Sequence, residues 1–319
     1  MIGAEGYSYQ TSDTWQISSA YRFQHSDRHF RGTHEEANRQ AEHSEVINDV
    51  HLFDIGITYA INPRYSVSLS VPIMDMNRSQ PLRDANRNIV DRFSTQSGGI
   101  GDMVLAGRAW VFQPETHPNQ NVSVGLGVKF PTGDENVTDS FLTLAGPEER
   151  TVDQSIQLGD GGFGIVFEAS AFKMLKNVTL FSSVNYLSNP KGTNGVPTFR
   201  GRESESIMSV ADQYLGRAGV AFGIPGLARH GFSGSTALRI EGVPVRDLFG
   251  PSRGFRRPGY AVSLEPGILY SRHNNSFSLH VPVAIQRNRQ ISVPDELDQT
   301  HGDAAFADYV LLLGYSRRF

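Results

Sequence analysis

The chain has 319 residues, of which 39 % are apolar and 19 % charged, with a formal net charge of −4, 32 glycines, 16 prolines and no cysteine. The missing cysteine excludes a disulfide scaffold, a Cys-ligated zinc site, an iron–sulfur cluster, a thiol nucleophile and covalent c-type haem. A pI near 6.2 gives no reason to expect nucleic acid as a partner. No apolar run approaches the ~18–20 residues that a transmembrane helix needs. The first residues carry neither a basic region nor an apolar core of a leader. Together with the strand pattern below, the numbered sequence is expected to begin after a cleavage site, with a Met added.

Period-two alternation runs through the whole chain, and it marks half-buried strands. The first strand puts Trp15, Ile17, Tyr21 and Phe23 on one face and Gln16, Ser18, Ala20, Arg22 and Gln24 on the other. The second has Phe53, Ile55, Ile57 and Tyr59 against Asp54, Gly56 and Thr58, and the third has Tyr65, Val67, Leu69, Val71 and Ile73 against Ser66, Ser68 and Ser70. The fourth alternates Met103, Leu105 and Val111 with Asp102 and Arg108. The fifth alternates Val122, Val124, Leu126, Val128 and Phe130 with Ser123, Gly125, Gly127 and Lys129. The sixth to eighth set Phe163, Ile165 and Phe167 against Glu168, then Val178, Leu180 and Val184 against Ser183 and Asn185, then Tyr214, Val220 and Phe222 against Arg217. The ninth and tenth set Leu238 and Ile240 against Arg239 and Glu241, then Val262, Leu264 and Ile268 against Ser263 and Glu265. The last two set Phe277, Leu279 and Ile285 against His280, then Tyr309, Leu311 and Leu313 against Asp308, Gly314 and Ser316.

Twelve strands of about ten residues fit the length of a tilted membrane strand. Short connections (62–64, 113–120, 174–177, 225–231, 272–275) alternate with long polar ones (25–49, 75–99, 132–161, 188–211, 244–259, 287–304). That rhythm, with an even strand number, predicts an all-β, up-and-down antiparallel transmembrane barrel with short periplasmic turns and long extracellular loops. Residues 14–319 are expected to form this single barrel, and residues 1–13 a periplasmic segment. The aliphatic face belongs in lipid and the other face in an enclosed, polar interior, because a spanning wall must close its own backbone pairing. A soluble lipocalin-like barrel or sandwich would bury the aliphatic face instead.

The interior face collects the residues of interest. Positive are Arg22, Arg108, Lys129, Arg217, Arg239 and Arg318; negative are Asp54, Asp102, Glu168, Glu241, Glu265 and Asp308; His280 shares the face. These charges, with Ser66, Ser68, Ser123, Asn185 and Ser263, are the candidate channel lining. Simple hairpin register pairs Asp102 with Lys129, Arg217 with Glu241 and Arg239 with Glu265, and barrel closure sets Arg22 beside Asp308. Such pairs either stiffen the wall or form a charged eyelet that orients solutes. Six charges of each sign predict weak ion selectivity. The histidines in or beside 25–49 match no zinc spacing, and the acidic stretch after Asp134 lacks a calcium loop pattern, so no metal and no cofactor are expected. No catalytic residue is assigned: of the lipid-side serines Ser19 and Ser182, Ser19 has its nearest candidate base, His51, about four residues too high.

Two stretches are sharper than the rhythm. Ser97-Gly98-Gly99-Ile100-Gly101-Asp102 opens the fourth strand, and Val128-Lys129-Phe130-Pro131-Thr132-Gly133-Asp134 closes the fifth. They resemble the GIGD and K-x-PTGD motifs of the outer membrane transporter family named for the meta-pathway of phenol degradation. The terminal Phe319 on an alternating strand resembles the signature read by the barrel-assembly machinery. The resemblance implies a porin-like outer membrane channel in a Gram-negative cell, with aromatic or apolar small compounds among its solutes. Membrane lipid, lipopolysaccharide and the assembly machinery are the implied partners, and envelope proteins join them if the barrel instead serves a larger assembly. The alternatives are a non-conducting barrel acting as a scaffold and an outer membrane hydrolase. On physical grounds Pro131 ends a ladder because it lacks an N–H, and Thr132-Gly133-Asp134 turns the chain into the next loop.

Overall fold

The computed structural model describes residues 13–319; of the expected periplasmic segment 1–13, only Asp13 is among them. The described chain is a closed antiparallel barrel of twelve wall strands. They are β1 (Thr14–Arg31), β2 (Ile47–Ala60), β3 (Tyr65–Arg83), β4 (Ile89–Ile100 and Val104–Trp110), β5 (Gln120–Lys129) and β6 (Gly164–Leu175). The series continues with β7 (Val178–Ser188), β8 (Gln213–Gly223), β9 (Phe232–Val243), β10 (Gly259–Arg272), β11 (Asn275–His280 and Val283–Arg289) and β12 (Ala304–Arg318). Each pairs with its neighbour in sequence, and β12 closes on β1 from Gln16 opposite Arg318 to Phe30 opposite Ala304. Pro282 interrupts β11, where a missing N–H costs a ladder bond.

The faces divide as the alternation requires. Leu126 is 60 % and Ile285 63 % exposed, and Leu69, Val124 and Leu279 also stand on the outside. A contiguous apolar belt of this extent is stable against hydrocarbon and not against water. Aromatic pairs mark the short-turn end, with Trp15 on Tyr59, Phe232 on Tyr270 and Phe277 on Tyr315. Phe130 meets Phe163 at the other end.

The long connections differ from the polar loops expected. Much of 25–49 and 75–99 is strand, because β1, β2 and β3 run on past the apolar belt and Ile89–Ile100 pairs with β3 as far as Arg83. Polar residues on both faces hid these extensions, since alternation disappears where neither face meets lipid. Segment 131–163 is a folded insert: a hairpin (Thr138–Thr143 and Gly146–Thr151) is followed by a 3-10 turn at Gln154–Ile156. Val152, Ile156 and Leu158 of this insert pack on Met76 and Met74 of β3 and Val50 of β2. Full burial of side chains such as Val152 and Ile156 is worth about 1.5–3 kcal/mol each, which holds the insert within the barrel mouth.

Candidate functional site

An ion network crosses the interior. Arg22 on β1 reaches Glu241 on β9 with two hydrogen bonds of 2.8 and 3.1 Å. Three wall strands lie between β9 and β1 on the shorter side, so this pair is a chord through the lumen. Glu241 also accepts from Arg239 at 2.8 Å, and Arg239 continues to Glu265 at 3.3 Å. Glu265, with a fully buried side chain, holds Arg217 at 2.6 Å and lies 3.3 Å from His280 Nδ1. The His280 ring lies across Gly267 of β10, where a Cβ would strike it. The Arg217 guanidinium also sits 5.0 Å above the Phe181 ring.

This wiring corrects two of the four expected pairs. Arg217 meets Glu265 and not Glu241, because the register sets Arg217 opposite Arg239, and Glu241 opposite Leu215 and Ala261. Two like charges face each other there, and the diagonal Glu265 is the group that neutralises both. Arg22 meets Glu241 and not Asp308: its own neighbours are the apolar Leu52 and Leu312. Asp308 lies four positions outward of Leu312 on the same strand, where its half-exposed carboxylate joins Arg28 and Arg287 at the rim. The Arg239–Glu265 and Lys129–Asp102 pairs form as the register predicts.

The remaining candidates lie apart from the chord. Arg108 and Glu168 face each other at 3.0 Å from either side of Gly125, which is opposite both in the ladder. A Cβ on Gly125 would come within 3.0 Å of the Glu168 carboxylate, so the glycine keeps the bridge open. Asp54 accepts from the Ser70 hydroxyl at 2.6 Å. On the lipid side His51 is opposite Phe23, four positions from Ser19, and its Nδ1 is engaged by the Tyr21 hydroxyl at 2.7 Å.

The two sharp motifs come together at the outer end of the wall. Asp102 accepts from the Gly133 N–H at 3.0 Å and the Asp160 N–H at 3.2 Å. Thr132 Oγ1 donates to the Gly101 carbonyl and accepts from the Met103 N–H. Lys129, buried, bonds both Asp102 and Asp160. Burial pushes the Asp160 carboxyl up against the pull of Lys129. Gly133 has no room for a side chain, since a Cβ would lie 2.5 Å from the Leu158 carbonyl oxygen. The motifs therefore clamp both ends of the inward-folded segment 131–163.

The interior is less polar than expected. Val166, Leu187, Leu215, Val310 and Leu312 are buried inside the wall. They fall in the polar phase of their strands, and that parity was the available signal. Sequence reasoning also missed a cluster at the mouth. Arg257 takes Asp153 with two bonds of 2.8 and 2.7 Å, and Arg78 stands 3.4 Å from the same carboxylate. Arg202 holds Glu205 at 2.9 Å, and Arg289 holds Asp295 at 3.0 Å. Continuing the alternation of β3 outward flags Arg78; the loop residues carry no periodic signal. Burial works against the charge of Asp153, but Arg257 and Arg78 hold its carboxyl well below the usual range.

Asp303, at the foot of β12, behaves likewise. Burial opposes its charge, but the hydrogen bond from His29 and Arg39 at 2.7 Å hold it down at about 2. A depressed carboxyl stabilises the fold above its unfolded value near ~3.9 and loses that contribution as pH falls through the folded value. Protection of the amides around residues 302–304, taken relative to their intrinsic exchange rates, is therefore expected to fall between pH 4 and 2. Asp303→Asn should abolish that step; an unchanged step would remove Asp303 from the account.

The fold is that of an outer membrane channel from Pseudomonas putida F1, 10 % identical, with a TM-score of 0.64 over 99 % of this chain and 100 % of that one. A FadL homologue of Pseudomonas aeruginosa aligns over 97 % of this chain and 90 % of its own at 6 % identity and a TM-score of 0.43. The toluene transporter of Ralstonia pickettii aligns over 100 % and 91 % at 10 % identity and a TM-score of 0.44. No family model matches the sequence.

Proposed function

We propose that the protein is an outer membrane channel for passive diffusion of small solutes, apolar and aromatic compounds among them, captured here in a closed state. The observation that carries this reading is the inner face of the wall. Ser18, Gly56, Ser68, Ser123, Gly125, Ser170, Gly219 and Gly267 belong to the inward phase of seven strands. Side chains this small leave room inside a twelve-stranded wall, part of which the Arg22–Glu241 chord and buried inward groups such as Phe172, Phe181 and His280 occupy. A separate insert, 131–163, packs on the inner face at the mouth and is held by a clamp at its ends. An insert fastened to the inner face at defined points suits gated passage.

The shared fold with the P. putida channel supports the same reading. So does the resemblance of the clamp motifs to the phenol meta-pathway transporter family. On this reading the twelve candidate residues border the path: Arg22, Arg217, Arg239, Glu241, Glu265 and His280 in the ion network, Asp54, Arg108 and Glu168 elsewhere on the inner face, Asp102 and Lys129 in the clamp, and Asp308 at the rim. The alternative is a non-conducting barrel within an envelope assembly, and the closed mouth is its supporting observation. Planar bilayer recording separates the two. Discrete conductance steps that grow when the clamp is cut support the channel; silence from both wild type and clamp variants overturns it.

A further inference from the structure

Segment 198–202 at the mouth turns two side chains, Phe199 and Arg200, toward solvent. Phe199 holds φ at +56°, a conformation that is strained for a bulky residue, and its ring is 57 % exposed. The loop is fixed in that shape: the Thr198 N–H donates to the Ser206 carbonyl at 2.9 Å, the Arg200 N–H donates to Thr198 Oγ1 at 3.3 Å, and the Thr198 hydroxyl donates to the Glu205 carbonyl. Strain maintained by such bonding, with an apolar ring turned to solvent, is the pattern of a ligand contact.

Arg200 is the second side chain. Its guanidinium stacks on Phe255, 3.8 Å from the ring centroid, and Arg257 lies against the same ring at 4.6 Å. Arg257 spends both arms of its fork on Asp153. Arg200 has one carboxylate near it, Glu205 at 3.5 Å, and that carboxylate is held more closely by Arg202 at 2.9 Å. Arg200, Arg202 and Arg289 form linked pairs with Glu205, Asp295 and Asp298, three charges of each sign. Beside them Arg78 and Arg257 share the one carboxylate of Asp153, and the half-exposed Arg200 fork, planar and pre-oriented by the Phe255 ring, faces solvent next to that basic pair. Burial and the nearby Arg257 charge lower the Arg200 pKa, so an arriving anion relieves a stressed cation.

We propose that segment 198–202 is a capture site for small organic carboxylates, Arg200 taking the carboxylate in its fork and Phe199 contacting the apolar body. This rests on the channel reading for its purpose, since it would load the mouth with solute, but not for its test. Arg150, paired with Glu148, lies 5.6 Å from the Phe199 ring. An inorganic anion would use the fork without the ring, and a neutral aromatic the ring without the fork.

Isothermal titration of the purified protein in detergent, with empty micelles as the blank, tests the site using benzoate, benzyl alcohol and inorganic phosphate as probes. Saturable benzoate binding is expected, with the other two at least tenfold weaker. Arg200→Gln should weaken benzoate about tenfold, the loss of a charge-assisted bidentate contact. Arg200→Lys should give an intermediate value, and Phe199→Ala should weaken benzoate while leaving phosphate unchanged. Melting temperatures equal to wild type exclude unfolding as the cause. The proposal is overturned by no saturable benzoate binding, by benzoate binding that ignores Arg200→Gln, or by phosphate binding as well as benzoate. Benzoate binding without bilayer conductance keeps the site and removes the channel.

Discussion

Lys129→Ala is expected to raise single-channel conductance several-fold and to lower the melting temperature in detergent. The lysine is buried between Asp102 and Asp160, and removing it leaves two carboxylates facing each other across the clamp. Breaking a buried pair by deleting one partner costs about 3–5 kcal/mol. Most of that loss falls on the contact between segment 131–163 and the wall, because Asp160 belongs to the insert while Asp102 and Lys129 belong to the fourth and fifth wall positions. The hydrogen bonds from Gly133 and Asp160 to Asp102 remain, so the insert loosens at one point without being released entirely. A Lys129→Ala/Asp160→Ala double variant removes the surplus charge and should recover part of the melting temperature while staying more conductive than wild type. Unchanged conductance and melting in Lys129→Ala would show that the clamp does not govern closure.

Glu265→Ala should have the largest effect on stability. Its carboxylate is the group between Arg217, Arg239 and His280, and its side chain is fully buried. Without it, two guanidinium groups that face each other across the β8–β9 ladder lose their common counter-charge. The expected loss is again about 3–5 kcal/mol, read as a lower unfolding transition in detergent. In whatever fraction folds, the belt gains positive charge, so the reversal potential in a KCl gradient should move toward chloride. Glu265→Gln keeps the volume and should show the same sign with a smaller fall in stability. An unchanged reversal potential would place Glu265 outside the ion path.

The barrel itself was legible in the sequence because its evidence is local. Period two follows from the geometry of a single extended strand, and the choice of which face is greasy follows from what each face touches. Leu69 against Ser70, or Val124 against Ser123, settles the orientation of a segment without knowledge of any other. The alternation of short and long connections then set the strand order. Between neighbouring strands register was legible in part: Arg239–Glu265 and Lys129–Asp102 could be paired in advance, while Arg217–Glu241 could not, because Arg217 falls opposite Arg239.

What only the tertiary structure decided is where contacts leave the hairpin. The Arg22–Glu241 chord joins residues whose strands are not neighbours, so it depends on the stagger and curvature of the whole closed wall. The separation of Asp308 from Arg22 depends on the register in which the last strand closes on the first, which alternation does not record. The descent of segment 131–163 depends on Val152, Ile156 and Leu158 finding Met74 and Met76, an apolar match between a loop and a wall far away in sequence. The mouth cluster has the same origin, with Asp153, Phe255 and Arg200 brought together from three different loops. Backbone periodicity is imposed by nearest neighbours along the chain and was therefore written in the sequence. Partner choice among buried charges and inserted loops is imposed by closure of the barrel, and was settled only there.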